Sequence, residues 1–155
     1  MIQQFKKFTK LSSEEKKLFM EAYVTLGLMR TAILTISFKR LTRSLEHLPK
    51  KKELPKLNEK DIKTANLVGQ AIMRASAYTL WESACLAQSL TAKKMLQKRG
   101  IPGVFYLGAL KDEEEKSKMK AHAWSQCGDT IITGGGGYEA FTVLSVFGWE
   151  KEKFK

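Results

Sequence analysis

Apolar residues recur at helical spacing early in the chain. Leu18, Ala22, Leu26, Met29 and Ile33 fall on one face of a helix predicted over about residues 13–38. Ser12-Ser-Glu-Glu15 supplies a capping box at its start. Leu28-Met29 and Ala32-Ile33-Leu34 widen the apolar face, so this helix is expected to be well buried or to dock a second protein. The pattern repeats after Asn58, which can cap a helix with Asp61 at its third position. Ile62, Ala65, Val68-Gly69, Ile72 and Ala75-Ser76 share one face of it, to about Thr79. A sharp turn is expected around Thr79–Glu82. Residues 82–98, rich in Ala, Leu, Met, Gln and Lys, form the third long helix. Leu86, Leu90 and Met95-Leu96 are in phase, and Gly100 and Pro102 stop it.

From Ile101 the period shortens to that of strands. Val104–Leu110, Met119–Cys127, Thr130–Thr133 and Phe141–Phe147 are predicted strands. Lys111–Lys118 is a charged loop, and Gly128-Asp129 is a two-residue hairpin turn. The order, helices and then an antiparallel sheet, makes the class α+β. Two stretches are predicted to be irregular. Residues 1–11 read as a frayed basic-aromatic arm or a partner-docking strand. Arg40–Leu57, with Pro49, Pro55 and Lys50-Lys51-Lys52, reads as a mobile loop. The 155 residues suit one domain: residues 1–57 as arm, helix and basic loop, and residues 58–148 as a catalytic core.

Charge adds a partner class. The net charge is +11 and the pI is near 9.7, which suits an acidic partner, an anionic membrane surface or simple solubility. No aromatic-basic stacking motif or helix-turn-helix spacing points to nucleic acid. No apolar run reads as a membrane span, no secretory pattern opens the chain, and two free thiols suit a reducing cytoplasm.

The chemistry centres on Trp81-Glu-Ser-Ala-Cys85 and Ala121-His122-Ala-Trp124. Cys85 falls in the first turn of its helix, where unpaired N–H groups and the macrodipole favour a thiolate. A small buried core residue is the plain alternative. On the histidine strand, His122, Trp124 and Gln126 share one face and Ala123, Ser125 and Cys127 the other. If His122 faces the Cys85 helix, Cys127 points away, so Cys85 is the candidate nucleophile and His122 its base. His47, in the basic loop, reads as a bystander. Two cysteines and two histidines lack the spacing of a closed metal site, and no cofactor is expected. The run Gly134–Gly137 has no Lys-Ser/Thr or helix after it, so it reads as close backbone approach to the substrate or the histidine strand.

Taken in order, Trp81-x3-Cys85-Leu86, Leu96-x2-Arg99-Gly100-Ile101, Tyr106-Leu107-Gly108, Ala121-His122-Ala123-Trp124 and Cys127-Gly128-Asp129 resemble one family. It is the lasso-peptide leader peptidases, the transglutaminase-like B protein in its stand-alone catalytic form. The motifs lie within about residues 66–147. The resemblance implies a papain/transglutaminase-type fold and removal of the leader peptide from a ribosomally made precursor. It also implies two protein partners, a small leader-recognition protein and the ATP-dependent lasso cyclase. A transglutaminase-like acyltransferase with the same Cys-His pair is the alternative, and a non-catalytic basic scaffold the third possibility.

The resemblance also exposes a departure. Such families carry an acid on the strand after the histidine, at the position Gly134 fills here. With Cys127 opposite Thr130, His122 would lie opposite Gly135, and Asp129 would be some ~20 Å off along the hairpin. Asp129 therefore reads as a turn residue. Thr133, on the face of His122 in that register, Glu139 folded back across the glycines, or a backbone carbonyl could orient the ring instead. For the oxyanion, the Cys85 N–H is one candidate donor, with the Trp81 indole or Gln70 as the second.

Overall fold

The computed structural model describes residues 2–50, 53–80 and 84–150. Helices α1 (Ile2–Thr9), α2 (Ser13–Thr35) and α3 (Phe38–Leu41) come first, then a short strand β1 (Glu46–Leu48). Helices α4 (Glu59–Ser76) and α5 (Cys85–Lys98) follow, then β2 (Gly103–Lys111), β3 (Met119–Cys127), β4 (Thr130–Thr133), a 3₁₀ turn at Tyr138–Ala140 and β5 (Thr142–Trp149). The strands form one antiparallel sheet in the order β1-β5-β2-β3-β4. The fold is α+β, with α2, α4 and α5 layered on one face of the sheet.

The helix starts follow local chemistry. Ser12 Oγ accepts from the Glu15 N–H while the Glu15 carboxylate accepts from the Ser12 N–H, closing the capping box. Asn58 Oδ1 accepts from the Asp61 N–H at 2.8 Å. Leu26 of α2, Val68, Ile72 and Ala75 of α4, and Met95 and Leu96 of α5 meet in the core with Phe105 and Phe147 of the sheet. A bidentate ion pair clamps α5 to α2: Arg99 donates to both oxygens of Glu21 at 2.9 and 2.6 Å.

Several local expectations are corrected. The N-terminal arm is the helix α1, held by the edge-to-face contact of Phe8 with Phe19 (5.1 Å). The stretch from Arg40 to Leu57 is not all loop. It holds the end of α3 and then β1, an edge strand on β5, and His47 there sets its ring edge-on against Phe147 (5.0 Å). Proline and lysine at Pro49 and Lys50 end that strand at the sheet border, where a ladder hydrogen bond is not needed. The first helix ends at Thr35, three residues short of expectation, because Ile36 turns to extended backbone.

Helix α2 also corrects the reading of the membrane question. It is long and apolar enough to cross a membrane, by length and hydropathy alone. Counting unbroken apolar runs misses this, because isolated charges such as Glu21 and Arg30 interrupt the run without removing its mean hydropathy. In the fold, Leu18, Phe19, Ala22 and Leu26 are buried, while Met20, Val24 and Leu28 remain more than half exposed.

Candidate active site

Cys85 is the first residue of α5 and is half-buried. Its N-cap, Ala84, is extended and supplies no side-chain cap, so no side chain of the cap takes up the first-turn N–H groups. The helix runs through the core by way of Ala87, Ser89, Leu90 and Leu96 and packs against β3. The Ala123 N–H donates to Cys85 Sγ at 3.4 Å. Ala123 directly follows His122, so the thiol meets the histidine strand at its backbone.

His122 sits opposite Gly108 in the β2–β3 ladder. Its ring Nε2 lies 2.7 Å from the carbonyl oxygen of Gly134. A carbonyl can only accept, so Nε2 carries the hydrogen and Nδ1 carries the lone pair. The ring lies among aromatics: Trp124 stacks at 5.8 Å and Phe141 tilts against it at 5.0 Å. Trp124 in turn stacks on Tyr106 (5.3 Å) and meets Tyr138 (5.5 Å). Burial pushes the Tyr106 phenol up from its ordinary value, and the nearby Tyr138 adds to the shift. Gly108 leaves the space for this cluster, because a Cβ there would come within 2.9 Å of both Phe141 Cβ and the Trp124 ring.

Gly134 makes the histidine contact possible. Its φ is +71°, in the left-handed region, and a Cβ would collide with the Ala123 carbonyl oxygen and lie 2.9 Å from Trp124 Cβ. Glycine therefore lets the chain leaving β4 press against β3 and aim its carbonyl at His122. The backbone of residue 134 meets the ring at the position where the resemblance would place an acid.

The sheet faces correct one expectation. Ala123, Ser125 and Cys127 point into the helical layer, and His122 and Trp124 point to the opposite face with Tyr106. The helices thus pack on the cysteine face of β3, not the histidine face. Cys85 meets β3 at the main chain of Ala123, the residue after His122. Cys127, packed within 2.7 Å of where a Gly103 Cβ would sit, is fully buried, and desolvation pushes its thiol up to about 12.

A β-bulge corrects the second. Cys127 pairs with Thr130, as the two-residue turn requires, and Gly128 supplies the positive φ (+55°). Gln126 then pairs with Ile131, but Ser125 pairs with Thr133. The extra residue, Ile132, moves Thr133 onto the helix-facing side. Thr133 is 2% exposed and shares hydrogen bonds with Ser125 Oγ (2.6 Å) and Ser89 Oγ (3.4 Å). It does not receive the His122 N–H.

The other candidates are placed apart. Asp129 is exposed in the hairpin turn, beyond the far end of β3 from His122. Glu139 is exposed on the 3₁₀ turn, and no hydrogen bond among the described residues joins it to His122. Gln70 is exposed on α4, and Trp81 lies outside the described residues. Ser89 and Ser125 escaped the sequence reasoning. Ser89 stands one helical turn after Cys85, and that spacing is the signal that would have found it. Among the described residues, no group of three or more His, Cys, Asp or Glu is placed to hold a metal ion. Among the described residues, a cleft of about 420 Å³ is lined by Glu46, Leu48, Pro102 and Trp149, at the opposite end of the sheet from Cys85.

Residues 28–146 match the family model of the transglutaminase-like superfamily. No curated protein and no solved structure matches the chain.

Proposed function

The chain belongs to the transglutaminase-like superfamily, whose members are usually cysteine peptidases or transglutaminases, and from that premise we propose that it is a cysteine peptidase with Cys85 as nucleophile and His122 as base. One observation supports this above the others: Cys85 Sγ lies against the Ala123 N–H while the neighbouring His122 ring is held by Gly134 through Nε2. That bond leaves Nδ1 to take the thiol proton. The thiolate then attacks the scissile carbonyl carbon, forming a C–S bond. The imidazolium returns its proton to the leaving amine as the C–N bond breaks, and water hydrolyses the thioester with His122 again as base. In this reading the Cys85 backbone N–H faces the developing oxyanion.

The substrate we propose is the leader-bearing precursor of a lasso peptide, on the ordered motifs from Trp81 to Asp129. A leader-recognition protein would deliver it, and the lasso cyclase would take the product. The superfamily match favours a second reading in which an amine, rather than water, opens the same thioester. Incubating the protein with a candidate precursor and following mass tests both. Loss of the leader with addition of one water marks the peptidase, and a new amide to added amine marks the acyltransferase. An unchanged precursor, with the recognition protein present, overturns both.

A further inference from the structure

Three buried hydroxyls join the three backbone segments that meet at Cys85 and His122. Ser89 is on α5, four residues after Cys85. Ser125 is on β3, three residues after His122. Thr133 ends β4 and directly precedes Gly134. Ser89 and Ser125 are 0% exposed and Thr133 is 2% exposed. Thr133 Oγ1 sits at the junction, 2.6 Å from Ser125 Oγ and 3.4 Å from Ser89 Oγ. It is there only because the bulge at Ile132 turns it toward the helices.

We propose that Thr133, through its hydroxyl, is the positioning residue that sets the Cys85 helix and the Gly134 carbonyl relative to His122. The inference rests on the Cys85–His122 reading. A hydroxyl buried without a partner is costly, so three that satisfy one another hold α5, β3 and β4 in one relative placement. Thr133 has two leverages. Its side chain fixes the depth of α5 one turn below the thiol. Its main chain leads straight into Gly134, whose carbonyl orients the His122 ring at 2.7 Å. The directional Thr133–Ser125 hydrogen bond, with the longer contact to Ser89, adds a preferred geometry to the close packing of the same layer. A sub-ångström error at a reacting pair is expensive in rate.

The test separates the hydroxyl from its packing volume. The full chain is treated with iodoacetamide at neutral pH, and labelling of the Cys85 peptide is followed by mass, with near-UV circular dichroism as the fold check. Buried Cys127 keeps its proton and stays unlabelled in the folded protein. Thr133→Val keeps the shape and removes the hydroxyl; Thr133→Ser keeps the hydroxyl and removes a methyl. The expected result is a fall of about ten- to hundredfold in the Cys85 rate for Thr133→Val. Thr133→Ser should stay within about threefold of the parent. Val tolerated and Ser impaired would mean simple packing, and equal losses would mean general loosening; either overturns the proposal. His122→Ala is run beside them. A parental labelling rate in that variant overturns the Cys–His reading itself, whereas a slow His122→Ala with a fast Thr133→Val overturns only the positioning role.

Discussion

His122 Nε2 donates to the carbonyl oxygen of Gly134 at 2.7 Å, so a main-chain group orients the ring where the resemblance implies a carboxylate. The consequence is chemical. A neutral carbonyl fixes the tautomer, as a carboxylate would, but contributes less to stabilising an imidazolium. It also makes residue 134 a position where side chains are excluded by geometry.

Substituting Gly134 should therefore damage both fold and site. Gly134→Ala forces a side chain into the left-handed region and against the Ala123 carbonyl, at a cost of about 1–3 kcal/mol. Gly134→Asp should fare no better, because the new carboxylate begins from the same strained backbone. Thermal denaturation and Cys85 labelling read the two effects. A Gly134→Asp variant with parental Tm and rate would contradict this account.

The two cysteines should separate cleanly. Cys85→Ala should abolish precursor processing while retaining the circular dichroism of the parent, since the first turn of α5 accepts alanine. Native Cys127 should resist alkylation at about pH 8, because burial holds its thiol up to about 12, and react once the chain is unfolded. Rapid native labelling of Cys127 would show that the core opens there.

His122→Ala should lower turnover by about 10²–10⁴-fold, the range of general acid–base catalysis. Asp129→Asn should be mild, because asparagine serves a turn as aspartate does, and so should His47→Ala on the edge strand. A collapse of activity in folded Asp129→Asn would move the site toward the hairpin turn.

The Glu21–Arg99 clamp predicts an acid-sensitive contribution to stability. The Arg99 hydrogen bonds hold the Glu21 carboxyl below its ordinary 4.5, outweighing the opposite effect of burial. A depressed carboxyl stabilises the fold above its unfolded pKa, and that share is lost as pH falls through the folded value. With partial solvent screening it amounts to about 1 kcal/mol. Glu21→Gln should thus lose stability at neutral pH and show a flatter decline of Tm as pH falls below the ordinary carboxyl value of 4.5. Parallel Tm curves for the two proteins would assign the acid response to other groups.

If a separate recognition protein delivers the precursor, cleavage of precursor alone should be slow and the partner should accelerate it by raising effective concentration. A chain of +11 meeting an acidic partner–leader complex should lose much of that gain as salt rises. Time courses with and without partner, at two ionic strengths, test this. Full speed without partner rejects the delivery role, and a salt-indifferent gain shifts attention to the exposed Met20, Val24 and Leu28 of α2.

Much of the fold could be read from residue order because it depends on local rules. The capping box at Ser12, the Asn58 cap, the helical phase of Ile62–Ala75 and the Gly128-Asp129 turn act within a few residues, and each appears where its chemistry places it. The sheet and the α+β class follow from periods in the sequence. The short α1 and β1 were not legible, because their ordering comes from Phe19 and from β5, distant in the chain.

The arrangement at the site was decided by tertiary packing. Strand alternation correctly sorts β3 into two faces, yet it does not say which face the helices cover; burial of Ser125 and Cys127 against α5 does. Alternation also fails across a bulge, since one unpaired residue at Ile132 reverses the side on which Thr133 emerges. Gly134 in the sequence signals only a permissive backbone. That its carbonyl reaches His122 depends on how closely two strands approach, which is a property of the assembled core and not of any one segment.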